Sequence, residues 1–373
     1  MYLCLMYRPV SGFFWSLFIV CLNQVFAQPV KYANAFLDIG VSARALAMSQ
    51  AVVASTDDVS SAFWNPAGLT GMRRDIQLSF MHNEHFAGIV KFDYAGIAIK
   101  FSDNDAGAFT FIRSGVDDIP NTLELIDANG NIDYDRVRSF SAADYAFMLS
   151  YARNLNKVKG LSFGGSVKLI HRSVGEFGQG WGFGIDFGAK FIRKNWMLGA
   201  MFRDASSTIT NFNYNTETFR LIFAQTGNEV ISSSTEVAVP RLNLGGAYRF
   251  AWEMGLSIQP ELSVSITTDG RRNVLAGAGP FSFDPAFGTE FGFKNIVWLR
   301  GGVGRFQYLK TILPDGSQDG KEITLLPTAG LGFRIKSVNI DYTLANFGNN
   351  MVGMSHVFSI RLDLHKAGRK PSE

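Results

Sequence analysis

The sequence predicts an all-β fold, a transmembrane antiparallel β-barrel of about fourteen strands with an N-terminal hatch. Three observations lead there. The chain opens on a secretory signal, its apolar residues recur at every second position, and its connections alternate between short and long.

The chain has 373 residues, and residues 1–27 read as a cleaved secretory signal. Arg8 supplies the positive n-region and Phe13 to Cys21 the short apolar run. Val25-Phe26-Ala27 then offers a cleavage site ending on a small residue. A permanent transmembrane helix needs roughly 20 apolar residues, and Asn23 and Gln24 interrupt this run too early. Both cysteines, Cys4 and Cys21, fall inside the signal. A mature chain without thiols has no disulfide framework and no cysteine-ligated metal.

Composition points the same way. Gly (38) and Phe (33) are heavily used, whereas charged residues make up only 18%, below the usual quarter of a soluble domain. An outer surface coated with apolar side chains needs fewer charges. The formal net charge of +3 comes from scattered basic residues, which excludes nucleic acid as a partner. No segment after residue 28 is apolar enough for long enough to span a bilayer as a helix. Spanning must therefore be done by a closed barrel, because lipid cannot satisfy an open backbone edge.

The strands follow from period-two alternation. Trp181, Phe183, Ile185, Phe187, Ala189 and Phe191 alternate with Gly182, Gly184, Asp186, Gly188, Lys190 and Ile192. Leu256, Ile258, Pro260, Leu262, Val264 and Ile266 alternate with a polar set that includes Glu261. Phe358, Ile360, Leu362 and Leu364 alternate with Ser359, Arg361 and Asp363. Such segments lie near 75–81, 88–102, 106–113, 143–154, 160–173, 179–192 and 195–204, then 238–251, 253–268, 285–294, 296–306, 324–336, 337–347 and 355–364. Most have the roughly 9–11 residues that a tilted strand needs to cross a bilayer. Residues 219–224 (FRLIFA) could add a strand within a loop.

Six connections are tight: 103–105, 155–159, 193–194, 252, 295 and the 336–338 junction. Between them fall longer ones, above all 114–142 and 205–237. Strict alternation of this kind fits a bacterial outer-membrane barrel, with short periplasmic turns and long external loops. A soluble sandwich or propeller also alternates in hydropathy, but has no reason to segregate its loops by parity. Outer-membrane lipid is then the partner of the outward face, with Phe183, Phe187, Leu262 and Leu362 on it.

Residues 28–72 break the strand pattern. Ser42 to Met48 favours a short helix, and Ser60 to Gly71 is punctuated by Pro and Gly. An apolar, non-strand segment ahead of a barrel is most simply a plug in its lumen. The chain thus divides into signal (1–27), hatch (28–72), barrel (73–364) and tail (365–373). The tail is a departure from the usual barrel end, which finishes on an aromatic residue.

The residues that tempt a catalytic reading do not support one. Gly160-Leu161-Ser162-Phe163-Gly164 matches G-x-S-x-G, but it lies within an alternating strand and no helix follows. His82 and His85 flank Glu84 in what reads as the first external loop, with no third ligand at a useful spacing. Neither an enzyme nor a cofactor is expected. Glycines from Gly180 to Gly188 fall on the polar face, where they relieve crowding inside the barrel or against a plug. That polar face carries a lumen network with Asp186, Lys190, Arg241, Arg249, Glu261 and Glu290 at its centre, joined by Lys168, Asn243, Lys294 and Arg300. Both signs are present, so charges bracing a plug outweigh a selective polar path. The 114–142 loop is acidic and either solvated or set to meet a partner or calcium.

Two stretches carry a family resemblance: Phe36-Leu37-Asp38-Ile39-Gly40-Val41-Ser42-Ala43-Arg44-Ala45-Leu46-Ala47-Met48, and Ala51 through Asp57-Asp58-Val59-Ser60-Ser61-Ala62-Phe63-Trp64-Asn65-Pro66-Ala67-Gly68-Leu69. Together they resemble the N-terminal region of the PorV/PorQ family of outer-membrane proteins. That family is similar to FadL-type transporters, fourteen-stranded barrels whose hatch contains Asn-Pro-Ala. The resemblance makes Trp64, Asn65, Pro66, Ala67 and Gly68 the hatch motif. It implies a role in type IX protein secretion, with translocon components and secreted cargo proteins as partners. The alternative it leaves open is a FadL-like transporter with a hydrophobic small-molecule ligand.

Overall fold

The computed structural model describes residues 33–126, 130–217, 232–268, 274, 276–312, 318–345 and 354–365. The predicted signal, the 219–224 strand and all of the tail but His365 lie outside these residues.

One antiparallel sheet holds every strand. Its first half consists of β1 (Ile76–His85), β2 (Val90–Lys100), β3 (Asp105–Asn121), β4 (Arg138–Asn154), β5 (Leu161–Val174), β6 (Gly178–Arg193), β7 (Trp196–Arg203), β8 (Thr208–Tyr214) and β9 (Ser233–Ala238). Its second half consists of β10 (Arg241–Tyr248), β11 (Phe250–Ala251), β12 (Leu256–Thr267), β13 (Ala276–Ala278), β14 (Phe281–Phe293), β15 (Val297–Ile312), β16 (Gln318–Ile335), β17 (Val338–Ala345) and β18 (Ser355–Leu364). Neighbours in sequence are neighbours in the sheet, and β1 closes it by pairing with β18 from Ile76↔Leu364 to Asn83↔Val357. Segments β7 and β8 are two halves of one stave, since both pair with β6. Segments β9 to β11 make the next stave, and β13 only flanks β14. The wall is therefore a closed barrel of 14 strands. With no free edge, every ladder has a partner and the backbone can meet lipid.

Alternation assigns the faces. Phe183 and Phe187 are 51% and 55% exposed, whereas Asp186 between them is 1% exposed. Leu262 faces out and Glu261 in, and Phe358 and Ile360 point outward beside a half-buried Leu362. All six tight turns fall at one end of the barrel, because consecutive strands are antiparallel.

The long-loop end differs from expectation. The 114–142 stretch is not all loop: β3 runs on to Asn121 and β4 starts at Arg138, paired Asn121↔Arg138. A bulge between Val116 and Ile119, with Asp118 at φ 58°, absorbs Asp117 and Asp118, two of the acidic residues that read as loop. Part of the 205–237 stretch likewise forms the β8–β9 ladder. Strands of 17 and 18 residues such as β3, β4 and β16 overrun the membrane span, so the wall stands well into the external space. His82 and His85 also lie on β1 rather than in a loop. Alternation sends His82 outward to Asp93, at 2.7 Å, and His85 inward to Asn83, at 2.8 Å. They cannot converge on one ion.

Candidate functional site

The site is built where residues 33–72 meet the inner face of the wall. This segment has short helical turns, Ala35–Ile39, Ala43–Ala47, Ser61–Trp64 and Pro66–Gly71, and no strand. Turns this short leave many backbone groups without intrasegment partners, and inward-facing wall side chains supply them. Ala54 and Ser55 N–H donate to the two Glu261 carboxylate oxygens at 2.7 and 3.1 Å. Thr343 and Ser166 donate to the carbonyls of Ala43 and Ala62 at 2.6 and 3.2 Å. Arg203 donates to Phe63 O at 2.9 Å while its guanidinium covers the Phe63 ring at 4.3 Å. Ser162, the middle residue of the nucleophile-like motif, donates to Ala67 O at 3.2 Å.

The Trp64–Gly68 motif is held on two sides in this packing. Asn65 is extended (φ −164°, ψ 100°), as a residue before proline prefers. Its amide donates to Val53 O within the segment and to Ala189 O in β6, both at 3.0 Å. Pro66 opens the next turn, where a missing N–H costs nothing. Trp64 donates to Val41 O at 2.9 Å. The wall makes room with glycine: a Cβ at Gly188 would strike Asn65 and Pro66, and one at Gly164 would sit 2.6 Å from Ala67 N.

The predicted lumen network resolves into separate clusters. Glu290 bridges Arg44 (2.9 Å) of the N-terminal segment and Arg300 (2.6 Å), which continues to Asp341 at 2.6 Å. Arg361 joins Asp58 of the segment to Asp363, and Asp363 also receives Arg334 at 3.2 Å. Arg241 reaches Asp38 at 2.7 Å. Asp186 pairs with Lys168 at 2.8 Å, and Lys168 also meets Asp204, at 2.6 Å, where the backbone kinks between β7 and β8. Lys190 is buried and donates to Thr56 O. Arg249 stands apart, donating only to Asn295 at the short-turn end. Burial would raise the Asp58 carboxyl, but Arg361, Arg44 and two bonds from Ser60 overcome it and hold the group below its ordinary value.

Asp38, Arg44 and Asp58 are partners that the strand pattern could not disclose, because they lie in a segment without periodicity. Arg361 and Asp363 did sit on the polar side of a readable alternation. Among the described residues no group of three or more His, Cys, Asp or Glu is placed to hold a metal ion.

Two polar cavities flank the segment. One of about 370 Å³ opens at the short-turn end between Arg73, Lys190, Arg249 and Asp57. The other, about 310 Å³, lies toward the long-loop end between Asp38, Gln50, Trp64, Arg203 and Arg305. Farther out, a cleft of about 530 Å³ opens among the protruding strands. Phe140, Phe177, Phe212, Tyr214, Val174 and Leu123 line it, with Phe140 and Phe177 edge to face at 4.8 Å. Its one cation, Arg172, is held between Asp144 (2.8 Å) and Glu236 (2.5 Å), so the cleft presents apolar and aromatic surface.

No protein-family profile matches the chain, and no curated protein is detectably similar in sequence. Solved structures are similar. The monoaromatic hydrocarbon channel CymD superposes with a TM-score of 0.55 at 13% identity, over 88% of this chain and 98% of that one. The Pseudomonas putida toluene transporter TodX gives 0.52 at 13%, over 88% and 99%. A Pseudomonas aeruginosa FadL homologue gives 0.51 at 12%, over 87% and 98%. The likeness is to channels and transporters, and it lends nothing to the narrower PorV/PorQ assignment. Closed wall, strand number and these neighbours together make the chain a bacterial outer-membrane barrel with the FadL-like fold.

Proposed function

We propose that the chain is a FadL-like outer-membrane transporter of hydrophobic small molecules, with residues 33–72 serving as the hatch that closes its lumen. The observation that carries the reading is the external cleft, a half-open aromatic pocket large enough for a small hydrocarbon, whose one cation is held between two carboxylates. Structural neighbours that are described as a toluene transporter and a monoaromatic hydrocarbon channel support it. On this reading a ligand is captured in the cleft and passes inward when the segment shifts against the wall. Uptake of labelled toluene and of a long-chain fatty acid by cells with and without the gene tests it. Equal uptake of both compounds in the two strains would sink the proposal.

The resemblance in residues 36–69 favours a second reading, a barrel that binds translocon components or cargo in type IX secretion. It expects the deletion strain to accumulate exported proteins in the periplasm while hydrocarbon uptake stays normal.

A further inference from the structure

The short-turn end carries a charge pattern that neither reading uses. Lys157 and Lys159 lie in the β4–β5 turn, Arg193 and Lys194 at the β6–β7 turn, Lys294 in the β14–β15 turn and Lys336 in the β16–β17 turn. All six are exposed, and none makes an ion pair with a described residue. The same set of turns holds only three carboxylates, Asp103, Asp105 and Glu253, and Asp105 is occupied by Ser102 and Tyr151.

Directly above the cations lies a band of exposed aromatic side chains. Tyr151, Trp196, Trp252 and Phe293 are each 46–59% exposed, and the Lys294 ammonium lies 5.2 Å from the Phe293 ring. Aromatic rings of this kind settle at the level of lipid headgroups. Long basic side chains beside them reach past the rings toward phosphate.

Distribution decides between a lipid and a protein partner. The cations sit on two separate arcs of the barrel, since two staves divide β7 from β14 and four divide β17 from β4. They also accompany outward-facing rings. A protein partner would call for one patch; cations on two separate arcs match a leaflet.

We propose that this rim binds the phosphates of periplasmic-leaflet phospholipids and selects lipids whose headgroups carry net negative charge. The inference rests on the barrel and its orientation, not on the transported ligand. Basic residues at a membrane surface attract anionic lipid, and the attraction fades within a screening length.

The purified full-length barrel, mixed with phosphatidylglycerol and phosphatidylcholine, tests this by native mass spectrometry of retained lipid. At low salt the native protein should retain the anionic lipid at least roughly fivefold over the zwitterionic one. The ratio should shrink toward unity near about 1 M salt. A variant with Lys157, Lys159, Lys194, Lys294 and Lys336 each changed to Gln should lose the preference. Its unheated, fast-migrating gel band must persist, so that loss of folding is not mistaken for loss of binding. Equal retention of the two lipids by the native barrel overturns the proposal. So does a folded variant that keeps the preference, or lysine-dependent capture of an acidic periplasmic protein without lipid selectivity.

Discussion

The inner girdle around residues 33–72 and the external cleft share one barrel wall, yet they are built on opposite principles. In the girdle, wall carboxylates and guanidinium groups meet backbone and side-chain partners, and glycines bring the two surfaces into contact. In the cleft, aromatic side chains line unfilled space, and the one cation is held between two carboxylates. Buried charge is costly unless paired, so the girdle is stable only when closed. Apolar surface left half-open is stabilised by whatever apolar molecule covers it. One region is packed closed and the other stands open.

Breaking the girdle should have the largest effect. Arg361→Met strands the buried Asp58, while Asp363 keeps Arg334, a loss of roughly 3–5 kcal/mol for one partner removed from a buried pair. Limited proteolysis of the folded barrel should then cut within 33–72, where the native protein resists. Continued protection would mean that the clusters do not hold the segment.

Glu261→Ala comes next. It leaves the Ala54 and Ser55 N–H groups without acceptors, at about 1–3 kcal/mol for each orphaned donor. Amide exchange at these two positions should speed up sharply, with much less change in Glu261→Gln, which keeps one acceptor oxygen. Equal exchange in both variants would show that the carboxylate's charge, not its bonds, holds the loop.

Acid should act in the same direction and more gently. The Asp58 carboxyl is depressed below its ordinary 3.8, so its contribution is complete above that pH and is lost as the pH falls through the folded value. Protease access to 33–72 should therefore be flat from pH 7 to 5 and rise only below about 4. A rise centred near pH 6 would point to a histidine instead.

How much of this was readable in the sequence depended on whether a local rule governed it. The staves were legible because a wall between lipid and lumen forces period two, as in Trp181 to Phe191, and because hairpin parity sorts the turns. Strand tips were not, since Asp117, Asp118 and Pro120 carry loop chemistry, yet the first two form a bulge within β3 and Pro120 pairs in its ladder. Asp186, Lys190, Glu261 and Glu290 showed themselves as polar residues on an inward face, but Asp38, Arg44 and Asp58 obey no period. The cleft was invisible for a further reason. Phe140, Phe177 and Phe212 come from three hairpins, and only the protruding ladders bring them together.

The cleft yields the smallest effect on stability and the sharpest contrast with the girdle. Phe177 is half-buried in the β5–β6 connection and packs edge to face on Phe140. Phe177→Ala removes no hydrogen bond or charge of the girdle, so protease resistance of 33–72 should be unchanged and the melting temperature nearly so. What it removes is aromatic surface from the pocket, about 1–2 kcal/mol of ligand contact. Toluene affinity should accordingly fall by roughly five- to thirtyfold, read as a shift in the concentration that half-saturates uptake, with the maximal rate preserved. Phe177→Leu should restore most of the affinity, because apolar area rather than ring electrostatics dominates such a site. If Phe177→Ala instead lowers the maximal rate and leaves half-saturation untouched, the cleft lies on the path without binding the ligand. The contrast between a sealed girdle and a filled pocket would then fail at the pocket.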